Sequence, residues 1–191
     1  MDKNTNKNNS TKFSYLISSK LSNWGFTWAG LLDNRHGEWL LFTQLGLIAA
    51  HLMPAWPNLK IPMNYFHQIV ITSGNILFIT GLFFAIKSLL NLGSSLSPLP
   101  EPKKHAQLVT SGCYQYCRHP LYQSLLIMSA GITISYLSIL HLIIMLLLAK
   151  TLQIKAKREE IRLLEIHPLY KEYMHKTIAI APFIKFLDWR Q

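Results

Sequence analysis

Two blocks of the chain run without Asp, Glu, Lys or Arg for longer than a soluble helix tolerates: Tyr65–Ile86, 22 residues, and Leu121–Ala149, 29 residues. Buried core helices usually carry about 10–14 uncharged residues, whereas a full bilayer crossing takes about 20. The first block therefore suits one span. The second is too long for one ordinary span, and Ser135-Tyr136-Leu137-Ser138 near its middle predicts a tight hairpin of two short spans. A shorter uncharged block, Trp39–Met53, ends before Pro54-Ala55-Trp56-Pro57. The pattern predicts an all-α, polytopic membrane bundle of about four transmembrane helices, the first and the last pair shorter or more tilted than average.

The basic residues give an independent reading of orientation. Lys3, Lys7, Lys12, Lys20 and Arg35 precede the first block; Lys87, Lys103, Lys104 and Arg118 lie between the second and third; the chain from Lys150 onward is rich in Lys and Arg. The Pro54–Asn64 loop has only Lys60, and the Ser135 turn has no charge. Four spans put every basic segment on one side, predicted cytoplasmic by the positive-inside rule, with both termini there. The charged fraction of 15% falls below the roughly 25% of soluble domains. The net charge of +10 alternates with uncharged blocks and forms no basic face with interleaved aromatics, so anionic membrane lipids fit it and nucleic acid does not. Cys113 and Cys117, four residues apart with no second pair, build neither a disulfide framework nor a zinc site. Residues 1–37 read as a polar, disordered tail followed by a segment, Phe13–Gly37 with Trp24, Phe26 and Trp28, compatible with an interfacial anchor. Residues 38–191 form the membrane domain.

This topology brings two segments to one face. In the first, Leu108 to Tyr122, Pro120 is placed to start the third span. The free amides of that helix end suit a carboxylate or phosphate. Arg118 and His119 add donors, and Gly112 permits close backbone approach. The second is Lys155-Ala156-Lys157-Arg158-Glu159-Glu160-Ile161-Arg162-Leu163, read as an exposed helical stretch leaving the last span. Its adjacent carboxylates, Glu159 and Glu160, suit an ammonium or ribose and compensate a cationic ligand.

Leu108-Val109-Thr110-Ser111-Gly112, Tyr114, Arg118-His119-Pro120-Leu121-Tyr122, an apolar hairpin, Glu159-Glu160-Ile161-Arg162-Leu163 and Tyr170-Lys171-Glu172-Tyr173 occur in that order. In this the chain resembles the isoprenylcysteine carboxyl methyltransferase family, over residues 92–182, its catalytic half. The tract Leu92-Gly93-Ser94-Ser95-Leu96-Ser97-Pro98-Leu99-Pro100 is similar to the bacterial and plastid members. The resemblance implies an S-adenosyl-L-methionine site closed between the pre-span loop and the Glu-Glu helix. Gln107, Leu108, Val109, Tyr114, His119, Pro120, Leu121, Tyr122 and Glu159 would contact the cofactor. Lys155 stands where the family commonly has an arginine facing the acceptor carboxylate. The chain departs from the pattern at His167-Pro168, where the family usually has Phe-Gly and one more residue.

The residue inventory suits that chemistry. A carboxylate acceptor is already ionised near neutral pH, so in-line displacement at a sulfonium needs alignment and water exclusion, with neither nucleophilic side chain nor base. Lys155 or Arg158 would orient the acceptor, a prenylated cysteine or another lipophilic carboxylate. Three alternatives stand beside it: a phospholipid or small-amine N-methyltransferase, which calls for a base; a membrane reductase of similar architecture; and, in a different class, a haem- or metal-binding protein using His51, His67 and His141.

Overall fold

The computed structural model describes residues 33–34, 37–57, 65–95, 99 and 108–190. The expected N-terminal tail and nearly all of the expected interfacial segment lie outside these residues, as does Gln107. Among the described residues there are five α-helices and no strands: α1 (Glu38–Ala50), α2 (Tyr65–Leu92), α3 (Pro120–Tyr136), α4 (Ile139–Ile166) and α5 (Tyr170–Lys176). Of the four expected spans, α2 and α4, each 28 residues, are long and apolar enough to cross a membrane. At 13 and 17 residues, α1 and α3 are shorter than the roughly 20 of a full crossing.

The burial pattern of α2 inverts that of a soluble helix. Its buried positions are Gly74, Gly81, Ala85 and Ser88, a single stripe of small residues. Its large side chains, including Phe66, Ile69, Ile76, Ile79, Phe83 and Leu90, are exposed. That pattern suits a helix in a lipid solvent, where small residues let backbones approach. A Cβ built on Gly131 of α3 would come within 2.6 Å of the Gly74 carbonyl, and one on Gly81 within 2.9 Å of the Ser124 carbonyl. The α2–α3 contact is thus nearly backbone against backbone.

The chain breaks between α3 and α4 at Leu137–Ser138, inside the stretch marked by its serines. Leu137 adopts a left-handed φ of 45°, and the Ser138 hydroxyl caps α4 by accepting from the His141 amide. The Trp56 loop docks on this turn, its amide donating to the Ser138 hydroxyl (3.0 Å) and its carbonyl accepting from the Leu140 amide (3.1 Å). The two charge-poor connections therefore share one end of the bundle. Helix α1 lies antiparallel to α4: Gln44 meets Lys155, and His51 meets His141.

One sequence expectation is corrected here. The stretch around Lys155–Glu160 does not leave the bundle as an exposed helix; it is the uninterrupted continuation of α4, and Lys155, Ala156 and Glu160 are buried. The cover comes from α1 and from the C-terminal segment, whose Ile180 and Leu187 join Tyr122, Leu148, Leu152 and Ala156 in one apolar core.

Candidate functional site

The backbone before α3 is fixed by a long-range pairing. Cys117 forms an isolated parallel bridge with Ile178, and the amides of Arg118 and His119 donate to the carbonyls of Ile178 (2.8 Å) and Ala179 (3.0 Å). The Cys117 thiol donates to the Ala179 and Ile180 carbonyls at 3.2 and 3.5 Å. Burial pushes its pKa up to about 12, so it remains a protonated donor and no nucleophile. Pro120 then opens α3 as its first residue. The first helical bond runs from the Gln123 amide to the His119 carbonyl, leaving the Leu121 and Tyr122 amides without intrahelical acceptors.

Glu160 is the hub of this end. Its carboxylate, in a residue 3% exposed, accepts from Arg118 Nε at 2.7 Å, from His119 Nε2 at 3.0 Å and from the Trp189 indole. Arg118 Nη1 donates onward to the carbonyls of Met174 and Thr177. The two residues expected to offer groups to a ligand thus hold the C-terminal segment against α4. Glu159 is placed differently: its side chain keeps 18% exposure, accepts from the Tyr122 hydroxyl and lies 3.5 Å from His119 Nδ1. His119 therefore bridges both carboxylates, and its ring stacks on Tyr122 with centroids 5.4 Å apart. Burial alone would lower its pKa, but the hydrogen bonds to Glu159 and Glu160 outweigh that and raise it above the ordinary value.

Lys155 lies one helical turn before Glu159, 3% exposed. Its ammonium donates to Gln44 Oε1 (2.8 Å) and sits 5.4 Å from the centre of the Tyr122 ring. Arg158 is half-buried on the same helix. Leu108, Val109 and Leu121 are half-buried, and Gly112, at φ 63°, opens a 3₁₀ turn, Gly112–Gln115. Tyr114 in that turn is buried, which raises its phenol pKa, and its carbonyl accepts from the Tyr173 hydroxyl. The shortened link at His167-Pro168 is a simple turn, in which the Tyr170 amide donates to the His167 carbonyl (2.9 Å) and Tyr170 stays buried.

The fold thus gathers Arg118, His119, Pro120, Tyr122, Lys155, Glu159 and Glu160. Sequence reasoning missed Gln44 and Trp189. Gln44 had one signal, an amide inside an uncharged block; Trp189 had none. A cavity of about 300 Å³ is lined by Lys87, Ser88, Cys117 and Gln123 among others, including the expected site residues Gly112 and Pro120 but neither Glu159 nor Glu160. His51 and His141 come together with ring centroids 5.9 Å apart, while His67 sits in the first turn of α2. Among the described residues no group of three or more His, Cys, Asp or Glu is arranged to hold a metal.

Among the described residues the fold is a helical bundle with two helices long and apolar enough to cross a membrane and a buried His–Tyr–Glu cluster at one end; the class of protein comes from comparison with the membrane methyltransferases. The model of one such family, described as phospholipid methyltransferase, matches residues 69–168, just over half of the chain. The chain belongs to this family. The match identifies the broader membrane methyltransferase group, and the narrower isoprenylcysteine type suggested by the motifs is not what it names. Neither a curated protein nor a solved structure matches the chain.

Proposed function

We propose that the chain transfers a methyl group from S-adenosyl-L-methionine to the carboxylate of a lipophilic acceptor, an isoprenylcysteine or similar lipid-like acid, at the cradle of His119, Tyr122 and Glu159. The observation that carries this reading is the division between the two carboxylates. Glu160 has its acceptor capacity filled from within the chain, whereas Glu159, which meets the Tyr122 hydroxyl and lies 3.5 Å from His119 Nδ1, keeps part of its surface open. An open carboxylate and two unpaired amides fit a ligand carrying both cationic and anionic groups.

Glu159, the α3 amides and the half-buried Leu108, Val109 and Leu121 would hold the cofactor, with Tyr114 and Gly112 shaping the approach. Bound there, it supplies an electrophilic methyl group on a sulfonium. His119 and Tyr122 fix the Glu159 carboxylate, and Lys155, held by Gln44, would orient an anionic acceptor, with Arg158 on the same helix as the second cation. The apolar core beneath Tyr122 excludes water, which strengthens each electrostatic contact. We further read α1 to α4 as four spans, with the cradle on the cytoplasmic side and membrane lipids around the α2 surface.

The family description favours a second reading, N-methylation of a phospholipid amine. That reaction must remove a proton, for which Glu159 is the open carboxylate. A buried lysine beside the cradle disfavours a cationic acceptor. Methyl-labelled cofactor supplied with lipid extract separates the two: label released as methanol by mild base is expected, and label retained in base-stable lipid would replace the first reading with the second. Glu159→Ala and His119→Ala are each expected to lose cofactor binding while still inserting in membranes; calorimetry giving wild-type affinity for both would remove the cradle assignment.

A further inference from the structure

The C-terminal turn of residues 181–186 has its apolar side chains on the wrong side for a soluble protein. Its two flanks are tied down: the Ile180 and Ala181 amides donate to the Leu187 carbonyl (2.9 and 3.3 Å), and the Leu187 amide donates to the Ile184 carbonyl (2.7 Å). Ile180 and Leu187 are buried in the core. The tip between them points away: Phe183 is 100% exposed, and Ile184 and Phe186 are exposed as well. Phe183 also holds a left-handed φ of 66°, a conformation unfavourable for an aromatic residue unless its surroundings reward it.

The level of this turn on α4 says what those surroundings are. Gln153 Nε2 donates to the Phe186 carbonyl (2.7 Å), and the Lys150 ammonium sits 5.3 Å from the centre of the Phe186 ring. Lys150 is the first charge after the uncharged stretch that began at Leu121. The turn is therefore moored where the apolar part of α4 gives way to its polar part, the level of a headgroup layer. Its composition agrees: Lys185 and Arg190 are basic, Asp188 is the one acid in residues 177–190, and Arg190 pairs with it at 2.6 Å. Aromatic and aliphatic side chains framed by basic ones suit an anionic lipid interface.

We infer that residues 181–186 form an interfacial wedge, with Phe183 and Ile184 inserted among the lipid headgroups of the bilayer that α4 crosses. The inference rests on the membrane reading of α2 and α4. The same segment carries Trp189 onto Glu160, so the wedge moors the cradle to the lipid surface from which a lipophilic acceptor arrives.

The test is a nitroxide label on the full chain in vesicles of mixed neutral and anionic phospholipid. Cys113→Ser and Cys117→Ser remove the native thiols, and labels are placed singly through Phe183→Cys, Ile79→Cys on the exposed α2 surface and Lys171→Cys on α5. Collision with oxygen, which concentrates in lipid, is compared with collision with a water-soluble nickel chelate. The label at 183 is expected to favour oxygen, between the other two and nearer to 79. Oxygen preference at 79 with nickel preference at 183 would overturn the wedge while leaving the spans intact. Shielding of 183 from both reagents would also overturn it, in favour of a protein contact. Nickel preference at 79 would instead remove the membrane reading on which the wedge depends.

Discussion

Replacing Glu160 with alanine would strand Arg118 Nε, His119 Nε2 and the Trp189 indole together, all of which meet its carboxylate in a nearly solvent-free setting. Removing one partner of a buried ion pair costs about 3–5 kcal/mol, so Glu160→Ala should lower the thermal unfolding midpoint in detergent sharply. Glu159→Gln, at a partly open side chain, should leave that midpoint within a few degrees of wild type and lose the cofactor instead; equal midpoints for the two variants would contradict this division. His119 adds a pH dependence. Its pKa is raised in the folded chain, so its contribution is complete below about pH 6.5, the ordinary imidazole value. It fades as the pH climbs through the elevated one. Wild type should therefore lose stability on that rise, and His119→Gln should show a flatter profile. The residues marked His119 and both glutamates, and the family resemblance singled out Glu159, yet nothing local showed that the acceptor capacity of Glu160 is filled from within the chain. That distinction depends on Trp189, which arrives from 29 residues away and leaves no local pattern.

Among the helices, the α2–α3 pair depends on glycines more than on large side chains. A side chain at Gly81 would meet the backbone of Ser124 and Met128, both at 2.9 Å. Gly81→Val is expected to force the pair apart at a cost of about 1–3 kcal/mol. The site end should feel this, because the Cys113 amide donates to Asn91 near the end of α2 (3.4 Å); unchanged unfolding in denaturant titration would count against so close a contact. Helix starts and breaks were legible where local chemistry sets them, Pro120 opening α3 and the Ser135–Ser138 stretch ending it. The continuity of α4 was not. Its apolar and charged halves are both good helix formers, so nothing local marks a boundary, and burial of Lys155 and Glu160 depends on α1 and residues 177–190.

Across the whole molecule, the bundle has two unlike ends: one closed by the Trp56 loop on Ser138, the other holding the cradle. The matched segment 69–168 contains neither Gln44 nor Thr177 nor Trp189. Removing residues 177–191 should therefore leave a chain that still enters the membrane fraction but no longer binds the cofactor by calorimetry; retained affinity would show that the cradle closes without its cover. The uncharged blocks made the helical architecture legible because a lipid solvent selects on composition. The cradle's closure depends on contacts between distant segments, which composition does not encode. The hydrogen bond from Lys155 to Gln44 joins residues 111 positions apart and has a genetic corollary. A gene crippled at position 44 should be rescued by second-site changes at 155 more often than at neighbouring codons. Related genes that carry arginine at 155 should then differ in step at 44, so that the two halves of the protein are inherited as one unit.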